Sequence, residues 1–180
     1  MRILLLLLLS SVLFASQKGE LLRLYKAKRY KEACNLGMLA YPKYTRDEAF
    51  ISLYAFSCLE ADYIDRLAVP ISALKYSKEA RGNAAYFSII LMQKKLLYHS
   101  LIDHYDISNL ALPTTTHILS KVFDLYVADP KKFTTTTHTY SDPKNENIGY
   151  KLYIETYPDI KKMVIEVYNG KILRQRHFYW

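Results

Sequence analysis

Residues 83–106 read NAAYFSIILMQKKLLYHSLIDHYD, the longest helical pattern outside the N-terminal leader. The first half, residues 84–92, is apolar nearly all round and is expected to be buried on several sides. In the second half Leu97, Leu101 and Tyr105 recur at spacings of four, with Lys94, Lys95 and Asp103 off that stripe. A helix of this kind needs packing partners on either flank, and the segments before it are expected to supply them.

Working back from this helix, residues 19–40 form a helical hairpin pattern. Leu21, Leu24 and Tyr25 make one stripe, Ala33, Leu36, Leu39 and Ala40 another, and Lys28-Arg29 lies between them. Pro42 stops the second helix. Thr45 has the character of a cap, with Asp47 and Glu48 in the first turn of a third helix running to about Ala61. Residues 62–80 continue as a fourth segment, and Arg81-Gly82-Asn83 breaks the chain before the long helix. Beyond that helix a threonine-bearing connection, residues 107–116, leads to a short helix over 117–127, which one of its threonines is expected to cap.

From Pro130 the period changes from helical to two. Residues 133–140 are threonine-rich and β-prone, and residues 148–157 and 161–168 alternate. Asn169-Gly170 is the strongest local signal, a two-residue hairpin turn. That turn pairs Val167 with Ile172 and Ile165 with Arg174, in a meander of three or four strands. The final strand, LRQRHFYW, reads either as a basic binding edge or as an edge protected by its charge. The expected fold is α+β, mainly α: stacked antiparallel helical hairpins over residues 16–129, followed by a small antiparallel β-meander over 130–180.

Residues 1–15, MRILLLLLLSSVLFA, have the layout of a secretory signal peptide cleaved after Ala15. The alternative is an uncleaved anchor. The expected setting is exported and periplasmic, with no membrane span in the mature chain. The formal charge of +8 is unevenly spread: +6 over residues 16–46, −3 over 47–129 and +4 over 130–180, with Arg2 supplying the rest. Two basic ends flanking an acidic middle suit contact with an anionic partner or surface. Seventeen tyrosines against one tryptophan favour half-buried seams and contact surfaces. Nucleic acid would fit the charge, but the export signal argues against it.

No nucleophile elbow, metalloprotease helix, Walker loop or dinucleotide fingerprint is present, so no catalytic residue, metal ligand or cofactor is assigned. His99 and His104 are five apart, which misses the same-face spacing of a helical metal pair. His117 and His138 each follow a run of threonines.

Tyr30 and Tyr63 stand 33 residues apart, in the contexts AKRYKEA and EADYIDR. These resemble the tetratricopeptide repeat family, whose unit of about 34 residues centres on a Gly-Asp-Tyr-x-x-Ala turn. Tyr30 with Ala33 matches the aromatic and the small residue; Tyr63 matches the aromatic, but Arg66 replaces the small residue. The family's first-helix glycine is missing, with Leu21 and Tyr54 in its place. The resemblance covers about residues 19–77 and implies stacked antiparallel helix pairs. It also places Cys34 and Cys58 on neighbouring helices, as a disulfide or as two buried thiols.

The function expected is that of an exported, non-enzymatic protein–protein interaction or scaffold protein of the cell envelope. Arg23, Lys26, Lys28, Arg29 and Lys31 would steer an acidic protein or peptide, with Tyr25, Tyr30, Tyr54 and Tyr63 as contacts. The alternative is an envelope enzyme or ligand carrier with a site between helices and sheet, near His104, Asp106 and His117.

Overall fold

The structure, a computed structural model, describes residues 16–180. The expected leader, residues 1–15, lies outside the described residues. Six α-helices precede a four-stranded antiparallel sheet among the described residues, so the fold is α+β and mainly α.

Helix α1 (Gln17–Lys26) and α2 (Tyr30–Ala40) are joined by a tight turn, and α2 packs against α3 (Glu48–Glu60). Two features bring α2 and α3 close. Cys34 and Cys58 form a disulfide, with Cα atoms 4.7 Å apart. Gly37 faces Tyr54, where a Cβ would lie 2.5 Å from the ring. Leu21, Leu24, Ala33 and Ala40 are buried as the pattern requires, but Leu39 is 75% exposed. The α3 cap is Asp47, whose carboxylate accepts from Phe50 N, rather than Thr45.

The turns after α1 and α3 repeat one backbone conformation. Lys28 and Asp62 both take positive φ, at 58° and 63°. Arg29 N donates to Leu24 O and Tyr63 N to Cys58 O; Lys28 N donates to Tyr25 O and Asp62 N to Leu59 O. Each equivalent pair is 34 residues apart, so Arg29 corresponds to Tyr63 in backbone terms.

A 3₁₀ turn and the short α4 (Ala68–Ala73) follow. The long helix α5 spans Lys78–Asp103, so the expected break at residues 81–83 falls instead at residues 74–77. Ser77 caps it through Ala80 N. The carboxylate of Glu48 gathers the N–H groups of Lys75, Tyr76 and Ser77, and these bonds, Tyr76 first, draw its pKa down to about 2. Gly82 sits in open space on the first turns and needs no break. Along α5 the buried residues include Phe87, Ile90, Lys94, Leu97 and Ser100, while Tyr105 is exposed. Lys94, read as lying off the apolar stripe, is nevertheless only 2% exposed. Helix α6 (Ile118–Val127) is capped by His117, whose Nδ1 accepts from Leu119 N, not by a threonine.

Strands β1 (Thr137–Asp142), β2 (Asn145–Thr156), β3 (Lys161–Asn169) and β4 (Ile172–Tyr179) form a meander in sequence order. The last hairpin differs from the expected register. Asn169 pairs with Ile172, so the turn residues are Gly170 and Lys171, with Gly170 at φ 57°. An irregularity at Val167/Tyr168 shifts the pairing again, so Ile165 faces His177 instead of Arg174. The total displacement is an odd number of residues, which exchanges the two faces of β4. His177 and Tyr179 therefore join Leu152, Met163 and Ile165 against the helices, and Arg174, Arg176 and Phe178 face away. Tyr150, Leu152, Met163, Ile165 and Tyr179 belong to the same core cluster as the helices.

Candidate functional site

The turns after α1 and α3 stand opposite the end of the sheet, and a cleft of about 660 Å³ lies between them. Its helical wall presents Lys28, Arg29, Tyr30, Lys31 and Glu32, with Glu60, Asp62 and Tyr63 beside them. Its strand wall presents Tyr157, Lys162, Arg176, Phe178 and Trp180. A second cleft of about 280 Å³ shares Asp62, Tyr63 and Trp180 and adds Asp65, Arg66 and Lys94. The two clefts adjoin at those shared residues, and we treat them as one groove, lined by rings and by cations interspersed with Glu32, Glu60, Asp62 and Asp65.

Charge pairing decides which of those cations are free to act. Arg29 is bound by Glu32, and Arg176 by Glu166 at 2.5 Å. Lys28, Lys31 and Lys162 have no carboxylate partner among the described residues. Lys162 instead lies over the rings of Tyr157 and Trp180, 4.8 Å from each centroid. Arg66 lies over Tyr63 at 4.4 Å and donates to Asn35 Oδ1 at 2.6 Å.

The strand wall is held by polar contacts. His177 Nδ1 donates to Asp62 Oδ1 at 2.8 Å, joining β4 to the turn after α3. Lys94 donates to Asp65 at 2.9 Å and to the Trp180 carbonyl at 2.5 Å. Burial pushes the Lys94 ammonium below its ordinary pKa, against the pull of Asp65. Under the outer face of the sheet, the buried Glu166 accepts from Tyr153 (3.1 Å), Tyr168 (2.6 Å) and Arg176 (2.8 Å). Burial would raise that carboxyl, but hydrogen bonds from Tyr168, Arg176 and Tyr153 leave it below its usual value. Tyr153 is pushed up to about 12, by burial first and then by Glu166.

Of the residues expected to form an interaction surface, Lys28, Arg29, Tyr30 and Lys31 line this groove; Arg23, Lys26 and Tyr25 do not. Arg23 is paired with Glu20 on its own helix, and Tyr25 packs edge-on against Tyr30 at 5.4 Å. Tyr54 is a core residue, whereas Tyr63 sits centrally in the groove. Sequence reading missed Tyr157 and Lys162, and marked Arg176, Phe178 and Trp180 only as part of a basic strand end.

The expected set of His104, Asp106 and His117 does not converge. His104 is exposed at the left-handed C-cap of α5, edge-on to Phe133. Asp106 accepts from its neighbour Ser108. His117 lies at the other end of α6 from His138, a helix length of about 15 Å away. There it faces Asp62 and His177, and burial depresses its pKa to about 4. Among the described residues no group of three or more His, Cys, Asp or Glu is arranged to hold a metal ion. Among the same residues no helix is long and apolar enough to cross a membrane.

The chain matches no family model, no curated protein and no solved structure.

Proposed function

We propose that this protein is an exported, non-enzymatic interaction protein of the cell envelope, and that its groove docks an extended acidic segment of a partner protein. The groove carries the proposal. It pairs five rings, Tyr30, Tyr63, Tyr157, Phe178 and Trp180, with the uncommitted cations Lys28, Lys31 and Lys162. Rings supply contact area at low conformational cost, and cations speed the encounter with an acidic chain. Two adjoining clefts that share Asp62, Tyr63 and Trp180 suit an extended segment better than a compact ligand.

Export is supported by the Cys34–Cys58 disulfide, a bond that persists in oxidising compartments. The leader read over residues 1–15 supports export in the same direction, and the periplasm is the compartment we propose. The 34-residue recurrence of one turn conformation supports a tetratricopeptide-like pairing of α1 with α2 and of α3 with the segment after it.

Trp180 is the only tryptophan, so its fluorescence reports on the groove. Titration with a ten-residue glutamate-rich peptide is expected to change the Trp180 emission saturably, and more weakly as salt rises. A lysine-rich peptide of equal length should leave it unchanged. The double variant Lys28→Glu/Lys31→Glu should abolish the response while the far-ultraviolet circular dichroism stays the same. An unchanged response in that variant would sink the acidic-segment reading.

A further inference from the structure

A second cavity, unconnected with the groove, lies where α5 and α6 meet the opposite side of the sheet end. It has a volume of about 290 Å³, at the small end of the range for sites that take small molecules. It gathers side chains that the interaction function leaves unused. The TTTTH run contributes Thr135, Thr136 and His138, and the C-cap of α5 contributes His104.

We propose that this cavity is a binding site for a small organic acid. Its lining includes Lys132 and Lys161 and no aspartate or glutamate. The floor is built rather than incidental. Lys132 is 7% exposed, and its ammonium is steadied by the carbonyls of Val127 and Asp129 at 3.3 and 3.1 Å. An ammonium carries three donors, so one remains for a ligand. His138 is 3% exposed; its Nδ1 lies 3.4 Å from Thr135 Oγ1 and 3.7 Å from Asp129 Oδ2. Its Nε2 has no hydrogen-bond partner among the described residues. Ser100 Oγ and Tyr126 OH, 3.1 Å apart, complete a hydroxyl-bearing floor. A carboxylate would accept from the third donor of the Lys132 ammonium, and from His138 Nε2–H in the tautomer whose Nδ1 accepts from Thr135 Oγ1; hydrogen bonds to a charged group are the strong ones.

Size and the remaining walls narrow the class. A bare inorganic anion would fill only part of the cavity. Leu101, Ile102 and Ile154 add an apolar side, which fits a short hydrocarbon body attached to the acid group. The mouth is formed by His104, Thr136 and Lys161, all exposed.

Isothermal titration calorimetry of the intact protein with acetate, butyrate, hexanoate, hexylamine and inorganic phosphate tests this. Hexanoate is expected to bind at one saturable site, more tightly than butyrate and acetate, and hexylamine not at all. Lys132→Met removes a floor cation but also strips the cap from α6, so the deciding variant is Lys161→Gln. Its side chain makes no hydrogen bond or ion pair among the described residues, and its backbone carbonyl keeps the bond from Tyr98 OH. Lys161→Gln should weaken hexanoate about tenfold, the scale of one charge-assisted contact. Absence of saturable hexanoate binding would overturn the site. Binding of phosphate without hexanoate, or of hexylamine as well as hexanoate, would overturn the assignment of the ligand class.

Discussion

The two walls of the groove are held by different forces. The helical wall is fixed by backbone and covalent devices: the two like turns at Lys28 and Asp62, the Cys34–Cys58 bond, and the contact of Gly37 with Tyr54. The strand wall is a backbone ladder of its own, but it is tied to the helices and braced by polar side chains: Asp62 with His177, Lys94 with Asp65 and the Trp180 carbonyl, and Glu166 with Arg176 and two phenols. Backbone geometry is indifferent to pH and salt, whereas ion pairs are not. One side of the groove is therefore a fixed template, and the other answers to its chemical surroundings.

Breaking the disulfide should have the largest effect. The loop it closes has a sequence separation of 24, and its loss is expected to cost about 3 kcal/mol through the unfolded state. The variant Cys34→Ala/Cys58→Ala should lower the urea midpoint, as should reductant acting on the wild type. The pH dependence of the midpoint should stay as it was. A midpoint unmoved by reductant would mean that the turns alone hold the helical wall.

The strand wall has its own hub. Glu166→Ala removes the acceptor shared by Tyr153, Tyr168 and Arg176 and is expected to cost about 2 kcal/mol. Unlike the disulfide variant, it should also alter Trp180 emission, because Arg176, which lines the same cleft, loses its partner. Thermal unfolding followed at both Trp180 and the helical circular dichroism band separates the two walls. Emission equal to that of the wild type would show that the hub does not position the groove.

Acid should act on the junction between the walls. Burial holds the folded-state pKa of His117 at about 4, below its ordinary 6.5. Between those values the unfolded chain binds a proton that the folded chain refuses, so stability falls as pH falls through that window. The loss between about pH 6.5 and 5 is on the order of 1 kcal/mol. His117→Asn keeps an acceptor at the N-cap of α6 and removes the titration. It should flatten the dependence of the melting temperature on pH in that range, leaving a residual slope from His138, which burial also depresses against Asp129. A slope unchanged in this variant would place the acid response elsewhere.

Local signals made most of the architecture legible. Pro42, the helical stripes, the change of period after Pro130 and Asn169-Gly170 located the helices and the hairpin within a few residues. The misses arose where distant residues decided the outcome. Lys94 is buried because Asp65, 29 residues before it, and Trp180, 86 residues after it, receive its charge. The α5 start moved to Ser77 because Glu48, far back in α3, collects three backbone donors there. The turn at Gly170-Lys171 and the irregularity beyond it exchanged the faces of β4. That exchange put Arg176 and Phe178 on the outer face that lines the groove and His177 on Asp62. The helical wall was thus visible as a run of adjacent cations, and the strand wall was not, since it exists only once β4 has folded back against the turn after α3.

The smallest expected effect concerns the matched turns themselves. Lys28 and Asp62 occupy equivalent positions with positive φ. Aspartate is tolerated in that conformation through local hydrogen bonding; lysine has no such relief, and glycine would adopt it freely. Lys28→Gly is therefore expected to stabilise the fold by about 0.5 kcal/mol, since the strain relieved is partly offset by the greater freedom of glycine in the unfolded chain. The same change removes one of the four cations of the groove (Lys28, Lys31, Arg66 and Lys162) that have no carboxylate partner among the described residues. Binding of the glutamate-rich peptide should weaken, and its dependence on salt should become shallower. Stability and binding would then move in opposite directions at one residue, as expected where strain is kept for the sake of a site. If Lys28→Gly raises stability and leaves peptide binding intact, the turn at Lys28 belongs to the scaffold alone, and the acidic segment must be steered by Lys31 and Lys162.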